Sequence, residues 1–79
     1  MITANGERFY PWNMTTAHPY LPFGTRLRVT NQNNGKSVIV RVNDRGPFYG
    51  GRILDLSTGA FSQIASTSRG VANVCFSKV

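Results

Sequence analysis

From residue 26 to residue 42 the chain alternates between apolar and polar side chains. Leu27 and Val29 stand between Arg26, Arg28 and Thr30, and Val38, Val40 and Val42 alternate with Ser37, Ile39 and Arg41. A period of two marks strands with one buried face. Asn31-Gln-Asn-Asn-Gly35 separates the runs, and Asn and Gly accept the backbone conformations that reverse a chain. The pattern predicts a strand over 26–30, a turn over 31–35 and a return strand over 36–42.

On either side the signals are shorter. Pro11, Pro19, Pro22 and Gly24 exclude a long helix before residue 26, which leaves loop with brief extended pieces. Asn43-Asp-Arg-Gly-Pro-Phe48 reads as a turn that ends the strand, and Tyr49-Gly-Gly51 lengthens the loop. A short strand over 52–56 follows, with Ile53 and Asp55 on one face. Ser57 then caps a helix over 58–66, in which Phe61, Ile64 and Ala65 have helical spacing and Gly59 is a weak point. After Gly70 a last strand over 71–76 puts Cys75 with Val71 and Asn73, and Ala72, Val74 and Phe76 on the other side. The expected architecture is one mainly β domain over 1–79 with one short helix.

Composition narrows the function classes. With 79 residues, the chain suffices for one domain with a thin core. Nine Lys and Arg face three acids, a net charge of +6. Such a surface favours polyanions. The bases are spread from Arg8 to Lys78 without forming a run, so charge alone does not point to nucleic acid, and no nucleic-acid partner is expected. The single cysteine, Cys75, allows no intrachain disulfide and reads as a structural thiol. A lone His18 excludes Cys/His zinc spacing, and no metal or cofactor is expected. No apolar stretch approaches membrane-spanning length, so no stable membrane insertion is expected. The polar opening Met1-Ile-Thr-Ala-Asn-Gly6 is not that of a signal peptide. Nothing in the sequence fixes an oligomeric state.

Glu7, Asp44 and Asp55 are the only carboxylates. Each lies beside turn residues or at a strand end, where a side chain can project into a cleft. Cleaving a glycosidic bond needs a carboxylic acid near the leaving oxygen and often a second group as base or stabiliser. The same residues also serve as turn-formers, ion-pair partners or solvated acids. His18 is open to two readings, a structural hydrogen-bonder or a proton carrier beside a carboxylate. Tyr10, Trp12, Tyr20, Phe48 and Tyr49 lie in the same loops, where aromatic faces stack on sugar rings or fill a thin core.

Seven segments in order carry a resemblance: Thr3-Ala-Asn-Gly-Glu7, Thr16-Ala-His18, Leu21-Pro-Phe-Gly-Thr25, Arg28-Val-Thr-Asn31, Asn34-Gly35, Asn43-Asp-Arg-Gly-Pro-Phe48 and Arg52-Ile-Leu-Asp-Leu-Ser57. Together they resemble the successive motifs of the rare lipoprotein A family. The resemblance implies a small six-stranded double-psi β-barrel. It also implies lytic transglycosylase activity on peptidoglycan glycan strands, and action in the cell envelope, periplasmic or extracellular. The family's functional glutamate, histidine and aspartate fall on Glu7, His18 and Asp44. Asp44 is the expected general acid, Glu7 the second carboxylate, and His18 the residue that orients one of them or the substrate. Asp55, Arg45, Tyr20, Tyr49 and Trp12 are expected to bind substrate. Asp55 in Asp-Leu-Ser also resembles the acidic motif of expansins, and a non-catalytic, expansin-like glycan-binding module is the alternative. Compared with the family, an opening aromatic strand is missing before Ile2, so the barrel is expected to be N-terminally truncated. Tyr10 replaces an acid, and the helix carries Ser-Thr-Gly where alanines are usual.

These readings make a geometric expectation. Glu7, His18 and Asp44 should line one open groove within about 10 Å of one another, the scale on which carboxyl pairs flank a scissile glycosidic bond. One of the five loop aromatics should border it. Arg45 or Arg52 should pair with an acid there, closer to Asp55 than to Asp44.

Overall fold

The hairpin predicted from alternation lies in the middle of the sheet. A computed structural model describes residues 1–48 and 54–79. It contains β1 (Thr15–Ala17), β2 (Arg26–Asn31), β3 (Ser37–Asp44), β4 (Asp55–Leu56), α1 (Thr58–Ile64), a 3₁₀ turn at Thr67–Arg69, and β5 (Val74–Lys78). The strands form one sheet in the order β4-β1-β3-β2-β5, curled into a half-barrel. β2 runs antiparallel to both β3 and β5, whereas β1 runs parallel to β3 and antiparallel to β4. This is the expected mainly β architecture, with five of the six barrel strands among the described residues.

The apolar phase of the hairpin becomes the core. Leu27 and Val29 from β2 pack with Val40 and Val42 from β3, and α1 closes over them with Ala60 and Ile64. Burying a Val, Leu or Ile side chain contributes about 1.5–3 kcal/mol. Leu27 lies directly opposite Val40, so the hairpin register and the hydrophobic phase agree.

Three boundaries differ from the sequence expectation. β3 runs two residues further, through Asn43 and Asp44, because β1 pairs with it there. β5 starts at Val74 rather than residue 71, since its partner β2 ends at Asn31, opposite Val74. It still turns Phe76 inward and leaves Cys75 exposed. α1 stops at Ile64 because the Ile64 carbonyl accepts the Asn31 and Asn34 side-chain amides at 2.8 and 2.9 Å, and Ala65 is extended. At the other end Ser57 caps the helix as expected, its Oγ accepting the Ala60 N–H at 3.2 Å. Residues 49–53, which include Tyr49, Arg52 and most of the predicted 52–56 strand, lie outside the described residues.

Gly59, read from sequence as a weak point of the helix, is a packing requirement. Its N–H donates to the Pro11 carbonyl at 2.8 Å, and a Cβ there would lie 2.6 Å from the Trp12 carbonyl oxygen and 2.8 Å from its Cα. Those are backbone atoms and do not yield easily. Gly59→Ala gains about 1 kcal/mol of helix propensity but incurs an overpacking cost of about 1–3 kcal/mol. The expected result is a lower urea midpoint; a midpoint raised by the substitution would show that the Trp12 loop moves freely.

Candidate active site

The site is assembled by a short loop that clamps the end of β3. Ile2 and Arg8 form an isolated bridge, and the Thr3 N–H donates to the Glu7 carbonyl at 2.8 Å. Gly6 turns the tip with φ +91°, which an L side chain rarely adopts. The loop then docks by backbone donors. The Asn5 N–H reaches the Asn43 carbonyl at 3.3 Å, and the Ala4 N–H reaches Asp44 Oδ1 at 2.9 Å.

Glu7 is held on three sides. Arg41 donates Nη2 to Oε1 at 2.8 Å and Nη1 to Oε2 at 3.2 Å, and Asn43 Nδ2 donates to Oε1 at 2.7 Å. The Arg41 and Asn43 hydrogen bonds lower the Glu7 carboxyl to a pKa of about 2, from an ordinary 4.5. A depressed acid stabilises the fold above its unfolded pKa, and that stabilisation disappears as pH falls through the folded value. The wild type is therefore expected to lose stability between pH 4.5 and about 2 beyond what Glu7→Gln loses. Urea midpoints measured across that window check it; parallel curves for the two proteins would mean the clamp contributes nothing.

Asp44 and Asp55 share a rung of the sheet. Ala17 on β1 pairs with Asp44 of β3 on one side and with Asp55 of β4 on the other. Directly opposed residues project to the same face. Two strand spacings put their Cα atoms roughly 10 Å apart, with the small Ala17 side chain between them. Both acids and Ala17 line one shallow, open groove, together with Phe9, Thr16 and Asn43. Asp44 Oδ1 accepts the N–H groups of Ala4 and Arg45, both at 2.9 Å. Among the described residues nothing bonds its Oδ2.

Glu7 and His18 adjoin this groove without forming its walls: Asn43, a wall residue, donates to Glu7 at 2.7 Å, and the His18 N–H donates to the Asp44 carbonyl at 3.2 Å. β1 pairs Thr16 with Val42 but Ala17 with Asp44, a bulge that skips Asn43. It sets Ala17 beside the acids, and the next residue along, His18, packs elsewhere. The imidazole is buried, edge-on to Tyr20 at 4.6 Å and to Phe76 of β5 at 5.8 Å. Its Nδ1 accepts the N–H groups of Tyr20 and Leu21, both at 3.1 Å, so the ring proton sits on Nε2. Burial first, and the Arg45 charge second, push its pKa below the usual range. His18 ties down the 18–21 turn, and its own N–H donates to the Asp44 carbonyl at 3.2 Å.

Of the two arginines expected to pair with an acid, Arg52 lies outside the described residues. Arg41, not Arg45, is the base that takes Glu7. Arg45 lies over the Phe23 ring, 3.9 Å from its centroid, and Nη1 donates to the His18 carbonyl at 3.3 Å. Of the aromatics, Phe9 borders the groove, whereas Tyr20 and Phe48 stand exposed and are not among its walls. Trp12 is exposed beside Gly59. The sequence did not single out Arg41 or Asn43. Their only signal was polar placement on the strand leading to Asp44, which does not name a partner.

The sequence of this half-barrel has a match among known protein families. A family model described as lytic transglycolase matches residues 1–76. This chain belongs to that family. It is 62% identical over 72 residues to a Synechocystis protein named "Probable endolytic peptidoglycan transglycosylase RlpA", covering 91% of this chain and 22% of that one. Proteins named endolytic peptidoglycan transglycosylase RlpA are similar too. The one from Vibrio cholerae is 52% identical over 92% of this chain and 28% of its own, and that from Pseudomonas aeruginosa is 54% identical over 91% and 21%. The chain thus spans less than a third of the relatives it matches.

Proposed function

We propose that this lytic transglycolase domain cleaves the bond between N-acetylmuramic acid and N-acetylglucosamine in peptidoglycan without water. The muramoyl C6 hydroxyl attacks the anomeric carbon and closes a 1,6-anhydro ring. The observation that carries this reading is the pair of acids on either side of Ala17 in one open groove. Asp44 gives its proton from Oδ2 to the leaving glycosidic oxygen. Asp55 is the second carboxylate. It takes the C6 hydroxyl proton and faces the positive charge that develops on the sugar ring. Proton exchange with solvent resets the two.

The other candidates act through this pair. Glu7, as a fixed anion on Arg41 and Asn43, holds the end of β3 and so positions Asp44. His18 sets the backbone on the far side of the same residue. The names of the relatives support peptidoglycan as substrate, and on this reading the site of action is the cell envelope. Among the described residues, no helix is long and apolar enough to cross a membrane.

The test is to incubate the protein with purified sacculi and resolve the soluble products by mass. Anhydro-muropeptides, one water lighter than hydrolysed ones, are expected. Binding to sacculi without such products would overturn the enzymatic reading in favour of a glycan-binding module.

A further inference from the structure

Phe23 lies under the Arg45 guanidinium, Tyr20 and Phe48 stand exposed on the same two segments, and no step of the reaction above uses them. Phe48 is 79% exposed, Tyr20 72% and Phe23 39%. They come from two segments that meet where Arg45 crosses. The Arg45 guanidinium stacks on Phe23 and bonds the carbonyl of His18, whose ring in turn packs against Tyr20. On the other side, Gly46 brings the chain back so that a Cβ there would sit 3.5 Å from the Phe48 ring. Arg45 follows Asp44 in the chain, and its backbone N–H donates to Asp44 Oδ1 at 2.9 Å. Asp55 lies on the other side of Ala17 from Asp44.

Exposed aromatic clusters of this kind mark binding surfaces. Aromatic faces carry partial negative charge and attract the polarised C–H groups of a pyranose ring, while a guanidinium held in place offers donors to hydroxyl and acetamido oxygens. A basic, aromatic rim next to a proton donor fits a neutral sugar with a polar edge.

We propose that Tyr20, Phe23, Arg45 and Phe48 form the subsite for the leaving N-acetylglucosamine unit, on the Asp44 side of the scissile bond. The inference rests on the proposed reaction in one respect, the direction along the glycan. The general acid touches the oxygen that leaves, so the sugar beyond it is the leaving one. The ring stacks on Phe48 and Tyr20, and Arg45, braced by Phe23, bonds its edge. Holding that sugar aligns its oxygen with Asp44 Oδ2.

The test uses chito-tetraose, a soluble N-acetylglucosamine oligomer, titrated into the isotope-labelled protein while aromatic ring resonances are followed. Tyr20, Phe23 and Phe48 signals are expected to shift together. Phe48→Ala should weaken binding about tenfold, the loss of one good contact. Phe48→Leu should weaken it comparably, because it keeps apolar area without an aromatic face, whereas Phe48→Tyr should bind like the wild type. Val71→Ala, an exposed apolar residue on another groove, should also bind like the wild type. On sacculi the Phe48→Ala defect should fall on KM more than on kcat. Unshifted rings at saturation, or wild-type affinity in both Phe48→Ala and Phe48→Leu, would overturn the subsite. Failure of the reaction reads differently: wild-type protein that binds chito-tetraose through Phe48 but releases no anhydro product keeps the subsite and removes the chemistry.

Discussion

Asp44→Asn is expected to release anhydro-muropeptides about 10²–10⁴-fold more slowly than the wild type, the usual worth of a positioned acid or base. The substitution is nearly isosteric. An amide oxygen at the Oδ1 position still accepts the Ala4 and Arg45 N–H groups, so the clamp over residues 3–7 and the turn after β3 stay in place. What changes is the group at Oδ2, where an amide cannot deliver an acid proton. The fold therefore survives and the chemistry does not. Product release from sacculi and urea unfolding, run side by side, separate the two. Activity within a few-fold of wild type would remove Asp44 as the acid, and lost activity with lost fold would call for Asp44→Glu as the next variant.

Asp55→Asn is expected to cost about 10²-fold or more in the same assay, for a different reason. Asp55 faces Asp44 across Ala17, and its negative charge is what the developing oxocarbenium ion and the C6 hydroxyl need. An asparagine keeps the size and removes both the charge and the basicity. Urea unfolding of the same variant, run beside the assay, separates lost chemistry from lost fold. Undiminished turnover by Asp55→Asn would return the second-carboxylate role to Glu7, where the family resemblance put it.

The parts of this fold that were legible in the sequence are those governed by local pattern. Alternation over 26–42 gave the hairpin and its buried face, and Ser57 gave the helix start. Long-range pairing was not legible. β1 is three residues long and has no period to detect; it exists because β3 and β4 pair with it on either side. The helix end depends on amides 30 and 33 residues away. In the site, the acids could be named because there are only three, but their grouping could not. A bulge of one residue between Thr16 and Ala17 sets Asp44, rather than Asn43, opposite Ala17 and so on one rung with Asp55. No count of residues along the chain shows such a slip.

The two ends of α1 have a consequence for how the molecule opens. Seven residues are too few for a helix to persist alone in water. Here its start is tied by Ser57 to Asn13, whose carbonyl accepts the Ser57 hydroxyl at 2.5 Å, and its end is tied to the hairpin tip by Asn31 and Asn34. The helix therefore cannot fray without disturbing both, and amide hydrogens in α1, β2 and β3 should exchange with solvent as one cooperative unit. The 3–7 loop is attached to that unit at its rim, by Ala4 to Asp44, Asn5 to Asn43 and Glu7 to Arg41 and Asn43, and its amide hydrogens should exchange ahead of that unit's. Such opening would release Asp44 Oδ1 from Ala4 while the pairing of Asp44, Ala17 and Asp55 across the sheet stays in place.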